Sequence, residues 1–391
     1  MNMTSKERML IAIQNGKADR VPVAPDISNM IPCKLTGKPF WEFYLQDPLS
    51  GGGVRVRLAR AYLSAMKYFG FDGWDGGYVN LDPSKEEKKE FQREIIEKDE
   101  EKIVAREYFH TPEGTLWQEM VYGIDNPPAP RRMLIKDFKK DFSLYLKYWF
   151  PDPSSCNDQE FQKWKREMGD FGVTALSIPC PGFHSLATTI DGGDKSSLEA
   201  ITNAYYDYQE LFREYALVYE DWAEKMTKRF IEAKPDYIMT GGSGMITLQS
   251  PEIFRDLGLP TLKKVTKLAK EAGIPTLVHC CGKAKELVKI CAEETDLSCI
   301  NPLEITPMGD CNLEEIKEKY GDKIALMGNL HTTEVMLKGS VKDVEEASKK
   351  AIDDAGKNGG FILSTGDQCG RDTPEENIFK MVEVAKTYGK Y

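Results

Sequence analysis

From about residue 170 onward the chain alternates between short apolar runs and longer amphipathic stretches. The apolar runs are VTALSIP (173–179), DYIMTGG (236–242), PTLVHCC (275–281), CINPLE (299–304), KIALMGN (323–329) and GFILSTG (360–366). Segments with helical spacing separate them, such as PEIFRDLGLPTLKKVTKLAKEAG before the third run and AKELVKICAEE before the fourth. Strand-length runs alternating with helix-length segments predict a parallel sheet covered by helices. The first part adds RVPVAPD (20–26), after the helical KERMLIAIQNG, and FDGWDGG (71–77), after RLARAYLSAMKYFG. The expectation is an α/β chain with eight strands, the number a closed (β/α)8 TIM barrel needs.

Residues 86–135 interrupt the alternation. EKKEFQREIIEKDEEKIVAREYFHTPEGTLWQEMVYG reads as charged strands folded about the turn TPEG, which predicts a β-hairpin insertion between the second and third barrel strands. The charge run over 85–107 is then a solvated hairpin face. DNPPAPRR (125–132) and PDPSSCND (151–158) read as stiff loops and not as boundaries, and there is no internal repeat, so one domain over 1–391 is expected.

Composition narrows the partners. Lys and Arg total 52 against 62 Asp and Glu, a net charge of −10, which argues against the broad basic face that nucleic acid requires. The start MNMTSKERML lacks the apolar centre of a signal peptide, and no stretch approaches the roughly 20 apolar residues of a membrane span. A cytoplasmic location without membrane contact is the expectation. Nine cysteines, an odd number, then read as thiols, some of them available to a metal.

The chemistry concentrates at strand ends. In PTLVHCCG the period of two sends His279 and Cys281 to one face and Cys280 to the other, at the carboxyl-terminal mouth where barrel enzymes build their sites. Cys369, in STGDQCGRDTP, lies 90 residues further along but on the loop after the last run, which opens onto the same mouth. One imidazole and two thiolates suit Zn2+, and three protein ligands leave a position open for catalysis. The alternative is a satisfied core histidine and two small buried thiols. Glu304 ends its run as a fourth ligand or an acceptor behind the ligands, or as a rim carboxylate. Asp26 and Asp75 end the first two runs, placed for substrate hydroxyls or protons, or as helix caps. His331 is a further polar candidate, or a solvated residue at a helix start. Cys33, Cys156, Cys180, Cys291, Cys299 and Cys311 have no partner at metal spacing.

The C-terminal half resembles a known family. GN after the seventh strand, a Val-Glu helix, GGFIL and TPEEN before the last helix, together with KERMLIAIQNGKADRVPV at the start, are similar to the uroporphyrinogen decarboxylase superfamily. Its decarboxylases use no metal and carry an Arg-rich loop after the first strand; here that loop, APDISNMIPCKLTGKPFWEF, has a lysine near its middle and no arginine. Its cobamide-dependent methyltransferases carry a zinc motif His-x-Cys with a distant Cys after the eighth strand, and His279, Cys281 and Cys369 match it. The long insertion is more like the members that demethylate methoxylated aromatics or other methylated compounds.

This resemblance implies a zinc methyltransferase that moves a methyl group between a small methylated aromatic, amine or thiol and the cobalt of a corrinoid. No Asp-x-His-x-x-Gly cobalamin loop is present, so a separate corrinoid protein is the expected partner. Two rivals remain at this point: a metal-free decarboxylase-like lyase with Asp26 or Asp75 as acid, and a corrinoid-protein binding module without turnover.

Overall fold

The computed structural model describes residues 3–45, 56–83 and 89–391. Its strands are β1 (Gly73–Trp74), β2 (Glu90–Lys98), β3 (Lys102–Thr111), β4 (Gly114–Gly123), β5 (Ala129–Arg132), β6 (Gly172–Val173), β7 (Ala175–Pro179), β8 (Tyr237–Gly241), β9 (Thr276–His279), β10 (Cys299–Asn301), β11 (Ala325–Leu330) and β12 (Phe361–Thr365). The strands β7 to β12 form one sheet in sequence order, every neighbouring pair parallel. Helices such as Gln209–Ala233, Leu259–Glu271, Lys285–Glu294 and Val341–Ala355 connect them. Every residue of β11 and β12 is buried, as expected of a parallel sheet packed on both faces. The architecture is an α/β fold whose six-stranded parallel sheet resembles a (β/α)-barrel core.

The two early runs are less regular than the alternation predicts, for reasons visible in their residues. Pro22 and Pro25 have no N–H to give, so 20–26 makes isolated bridges and no ladder: Arg20 antiparallel to Lys390, and Val23 parallel to Leu363, with Ala24 N–H donating to Leu363 O at 2.9 Å and Leu363 N–H to Pro22 O at 2.9 Å. On its other side Val23 O accepts from Asp72 N–H at 2.8 Å. The run 71–77 pairs with β6 over only two residues, where Gly73 and Gly172 meet: a Cβ at 172 would lie 2.4 Å from Gly73 O. No side chain fits that crossing.

A cluster of buried apolar side chains runs through the sheet's interior. It takes side chains from all eight runs, Ala24, Trp74, Val173 with Ala175, Tyr237, Leu277, Cys299, Ala325 with Met327, and Ile362, and Met9, Ala12 and Ile13 of the helix Ser5–Ile13 pack against them. That helix begins with a capping box in which Thr4 and Glu7 satisfy each other's backbone N–H. The larger outer core lies between the sheet and the covering helices.

The excursion is larger than a hairpin. The strands β2, β3, β4 and β5 form a four-stranded antiparallel sheet, with Thr111 and Gly114 closing the turn at TPEG; positions 86–88 of the expected insertion lie outside the described residues. The charged residues are not all solvated. Glu107 and Glu119 are buried, Glu107 accepting from Arg93 and Tyr122, and Glu119 from Arg106 and Arg131. Ile103, Ala105 and Tyr122 cover Trp41, Tyr44 and Leu45, so the sheet seats on the segment that follows the first run. No helix among the described residues is long and apolar enough to cross a membrane.

Asp72 ties the early runs together. Wholly buried, it accepts from Arg8 at 2.7 Å, from Arg20 at 2.8 Å and from Val23 N–H at 3.0 Å. Removing it leaves two guanidinium groups short of their partner, so Asp72→Ala is expected to lower unfolding free energy by about 3–5 kcal/mol in urea titrations.

Candidate functional site

The carboxyl ends of the parallel strands carry the polar residues. His279 is the last residue of β9, and the chain turns at Gly282, whose φ of 86° and close approach to Thr247, 2.4 Å from a would-be Cβ to Oγ1, exclude a side chain. Between them Cys280 faces the apolar core, while Cys281 Sγ lies 3.0 Å from His279 Nε2 and 3.2 Å from Ser243 Oγ. The other imidazole nitrogen, Nδ1, is 3.2 Å from Oδ1 of Asn301, its register partner on β10.

Asp367 completes the cluster. Donor atoms of His279, Cys281 and Asp367 lie within 4.8 Å of one another, the one group of three or more metal-type donors so gathered among the described residues. Cys369 stands two residues further along the same loop and is not part of that group. It is buried, its N–H donates to Asp26 O at 2.8 Å, and its thiol is pushed up to about 12 by burial and by the charge of Asp26, against hydrogen bonds with Thr365 and Thr373.

Acidic groups crowd this imidazole. Asp26 is raised by burial, against the opposing influence of His279 and the Ser28 hydroxyl that donates to it. Glu304 is raised by burial and by Asp367, although Gly282 N–H donates to it. Burial and the same Asp367 push the Cys281 thiol far above its ordinary value. Each charge discourages the next in this part-buried cluster. A divalent cation would reverse that balance, and a nitrogen, sulfur and carboxylate set is a zinc-type set, too soft for Mg2+ or Ca2+.

The remaining candidates are placed differently. Both oxygens of Asp75 are engaged: Oδ1 accepts from Gly77 and Tyr78 N–H at 2.9 Å, and Oδ2 from the Trp164 indole at 2.6 Å. Its carboxyl is raised to about 6 by burial, against these bonds. His331 caps the helical turn Thr332–Leu337, its Nδ1 accepting from Thr333 and Glu334 N–H at 3.1 and 3.2 Å. It also lines a narrow cleft with Glu304, Asn329 and Gly366. A roomier cleft of about 690 Å³ beside Ser143 and Tyr206–Leu211 shares no residue with the donors.

Two loops from opposite ends of the sequence hold Asp367 and Cys369. Asp26 N–H donates to Thr365 Oγ1 at 3.0 Å, Gln368 donates to Asn29, and Asn29 donates to Tyr44 at 2.6 Å. Lys34 donates to Arg371 O at 3.0 Å, and Arg371 pairs with Asp125 of the inserted sheet. The loop after β12 is thus gripped by the segment after the first run and by the insertion.

Residues 180–388, just over half of the chain, match the family described as uroporphyrinogen decarboxylase (URO-D). The chain belongs to that family. Among URO-D relatives, it is 31% identical over 164 residues to the methylcobamide:CoM methyltransferase MtbA of Methanosarcina mazei, covering 41% of this chain and 42% of that protein. The Methanosarcina acetivorans protein of the same name is 30% identical over 213 residues, 53% of this chain and 56% of its own length. The chain spans about half the length of the curated relatives it matches. A solved structure titled methyltransferase from Methanosarcina mazei superposes with a TM-score of 0.66 at 17% identity, covering 99% of each chain, which shows a common fold.

Asp367, Asn301, Ser243 and His184 were not picked out by sequence reasoning. Asp367 had a signal, since Asp-x-Cys on this loop mirrors His-x-Cys on β9. His184 had none. It is buried against Gly242 and Gly182, and burial pushes it down to about 4 against the opposing influence of the Cys180 backbone. The unfolded chain therefore takes up a proton near pH 6.5 that the folded chain refuses until about pH 4, so stability falls as pH falls through this window. His184→Leu is expected to lose less stability than the parent between pH 7.5 and pH 5 in denaturant titrations.

Proposed function

We propose that this chain is a zinc-containing methyltransferase that moves a methyl group between a small substrate and the cobalt of a corrinoid carried by another protein. The observation that supports this reading most directly is the convergence of His279, Cys281 and Asp367 at the carboxyl ends of the sheet. We take the segments 20–26 and 71–77 as the first two staves of a closed eight-stranded barrel, which makes that end a mouth, and the chain as one domain carrying the inserted sheet. Similarity to the MtbA proteins, whose name specifies methylcobamide as a substrate, supports the class of reaction.

His279 and Cys281 would hold the ion, with the third donor from the loop after β12: Cys369 by its match to the methyltransferase motif, or Asp367 by its present position. Zn2+ bound there supplies Lewis acidity, which activates a thiol acceptor or draws electrons from the heteroatom of a methyl donor. Glu304, held by Gly282 N–H beside the donors, would fill a fourth position or orient a substrate. Asp26 and Glu304 are the groups placed to hold or deliver a proton beside the donors. His331 keeps its Nε2–H as a donor toward a polar substrate group, since its Nδ1 is committed to the turn that follows. The substrate is a methoxylated aromatic, a methylated amine or a thiol.

A metal-free decarboxylase-like lyase fits less well. A substrate with many carboxylates would meet Asp26, Glu304 and Asp367 at the same mouth, and of the two lysines in the loop after the first run Lys34 is already bound to Arg371 O while Lys38 pairs with Glu42. Elemental analysis of protein purified without added metal should find about one zinc per chain, as one site of this donor type implies. Cys281→Ser and Cys369→Ser are each expected to lower zinc content and, on the order of 100-fold, methylation of cob(I)alamin by a panel of methoxyarenes, methylamines and methyl thiols. Full activity after chelation, with no zinc found, would establish the lyase instead; intact zinc and partner binding without methyl transfer would establish the binding module.

A further inference from the structure

We infer that Asn301 is a positioning residue that fixes the tautomer and orientation of His279 for the metal, an inference that rests on the zinc reading above only for its last step. The geometry is local and direct. Asn301 and His279 are register partners on adjacent parallel strands, and Asn301 Oδ1 sits 3.2 Å from His279 Nδ1. An amide oxygen can only accept, so the hydrogen of a neutral ring rests on Nδ1 and the lone pair is left on Nε2, the nitrogen that faces Cys281 Sγ. A ring free to hold its proton on Nε2 would present a hydrogen to the ion.

The surroundings say why an amide stands here. Asn301 is 1% exposed and its Nδ2 has no hydrogen-bond partner among the described residues. An unpaired buried donor costs stability, so the side chain is poorly suited to a purely structural role. What it does provide is an acceptor without charge. Histidine ligands commonly lean on a carboxylate or a carbonyl, and the carboxyl groups of Asp26, Glu304 and Asp367 already stand near this imidazole. A fourth carboxylate would hold the same tautomer at the expense of further repulsion, whereas the amide holds it without any.

The test has two readouts. In metal-free protein labelled with 15N-histidine, long-range 1H–15N spectra should show His279 as the Nδ1–H tautomer, its signals assigned by their loss in His279→Gln. In Asn301→Leu that preference should disappear, and zinc affinity measured against a competing chelator should fall by about 10–100-fold, the range typical for partners of ligating histidines. The thermal midpoint of Asn301→Leu should hold or rise, because the unpaired donor is gone. Asn301→Asp, which keeps the acceptor, should keep the Nδ1–H tautomer. An Nε2–H tautomer in the parent protein, or Asn301→Leu binding zinc within about twofold of the parent, would overturn the inference. If Asn301→Leu does not fold, the parent's tautomer and Asn301→Asp decide it. A parent protein that binds no zinc would remove the proposed function, while the tautomer measurement would still decide what Asn301 does.

Discussion

Charge crowding at one end of the parallel sheet is the constraint on which the rest depends. Cys281, Asp367, Asp26 and Glu304 stand about a single imidazole, with Cys369 buried against Asp26 beside them. In such surroundings several negative charges cannot coexist unless protons or a cation neutralise them. Thiols as reluctant to ionise as Cys281 and Cys369 become ligands only where a cation replaces their protons. The donors are therefore a liability of the fold by themselves, and on the proposed reading they would be the source of its affinity for a metal.

Rigid placement makes that tension tolerable. The imidazole and its amide neighbour come from adjacent strands in register, and strands locate side chains more firmly than loops. The loop after β12 is the less constrained half, and the structure compensates with the segment 26–34 and with the inserted sheet, through Asn29, Lys34 and Asp125. The exposed ion pairs in this grip contribute little stability individually. Their combined effect is to define where one loop sits.

Much of the fold was legible because strand and helix periods differ so plainly: the runs 173–179, 236–242, 275–281, 299–304, 323–329 and 360–366 all contain a strand of the parallel sheet. The early runs gave a blurrier reading, since prolines and glycines let Val23 and Gly73 take strand positions without an extended ladder. TPEG announced a turn, but nothing local showed that two more strands would pair with its hairpin, one on each outer edge. At the site, alternation along β9 correctly brought His279 and Cys281 together. It is silent about loops, so it could not bring in Asp367, nor show that Asp75 is engaged by Trp164, 89 residues away. Asn301 was invisible for a further reason: its role exists only across a strand pair.

The grip between the loops has a consequence for how the site comes into being. Its hydrogen bonds join residues about 340 positions apart, such as Ser364 to Ala24 and Gln368 to Asn29. Contacts of that span form late, after the intervening chain has organised, because closing so long a segment is entropically unfavourable until neighbours are in place. On the reading proposed above, a cation held between β9 and the loop after β12 would act as a rivet across the final seam of the architecture: a molecule whose seam had parted would retain most of its helices and strands yet surrender its metal.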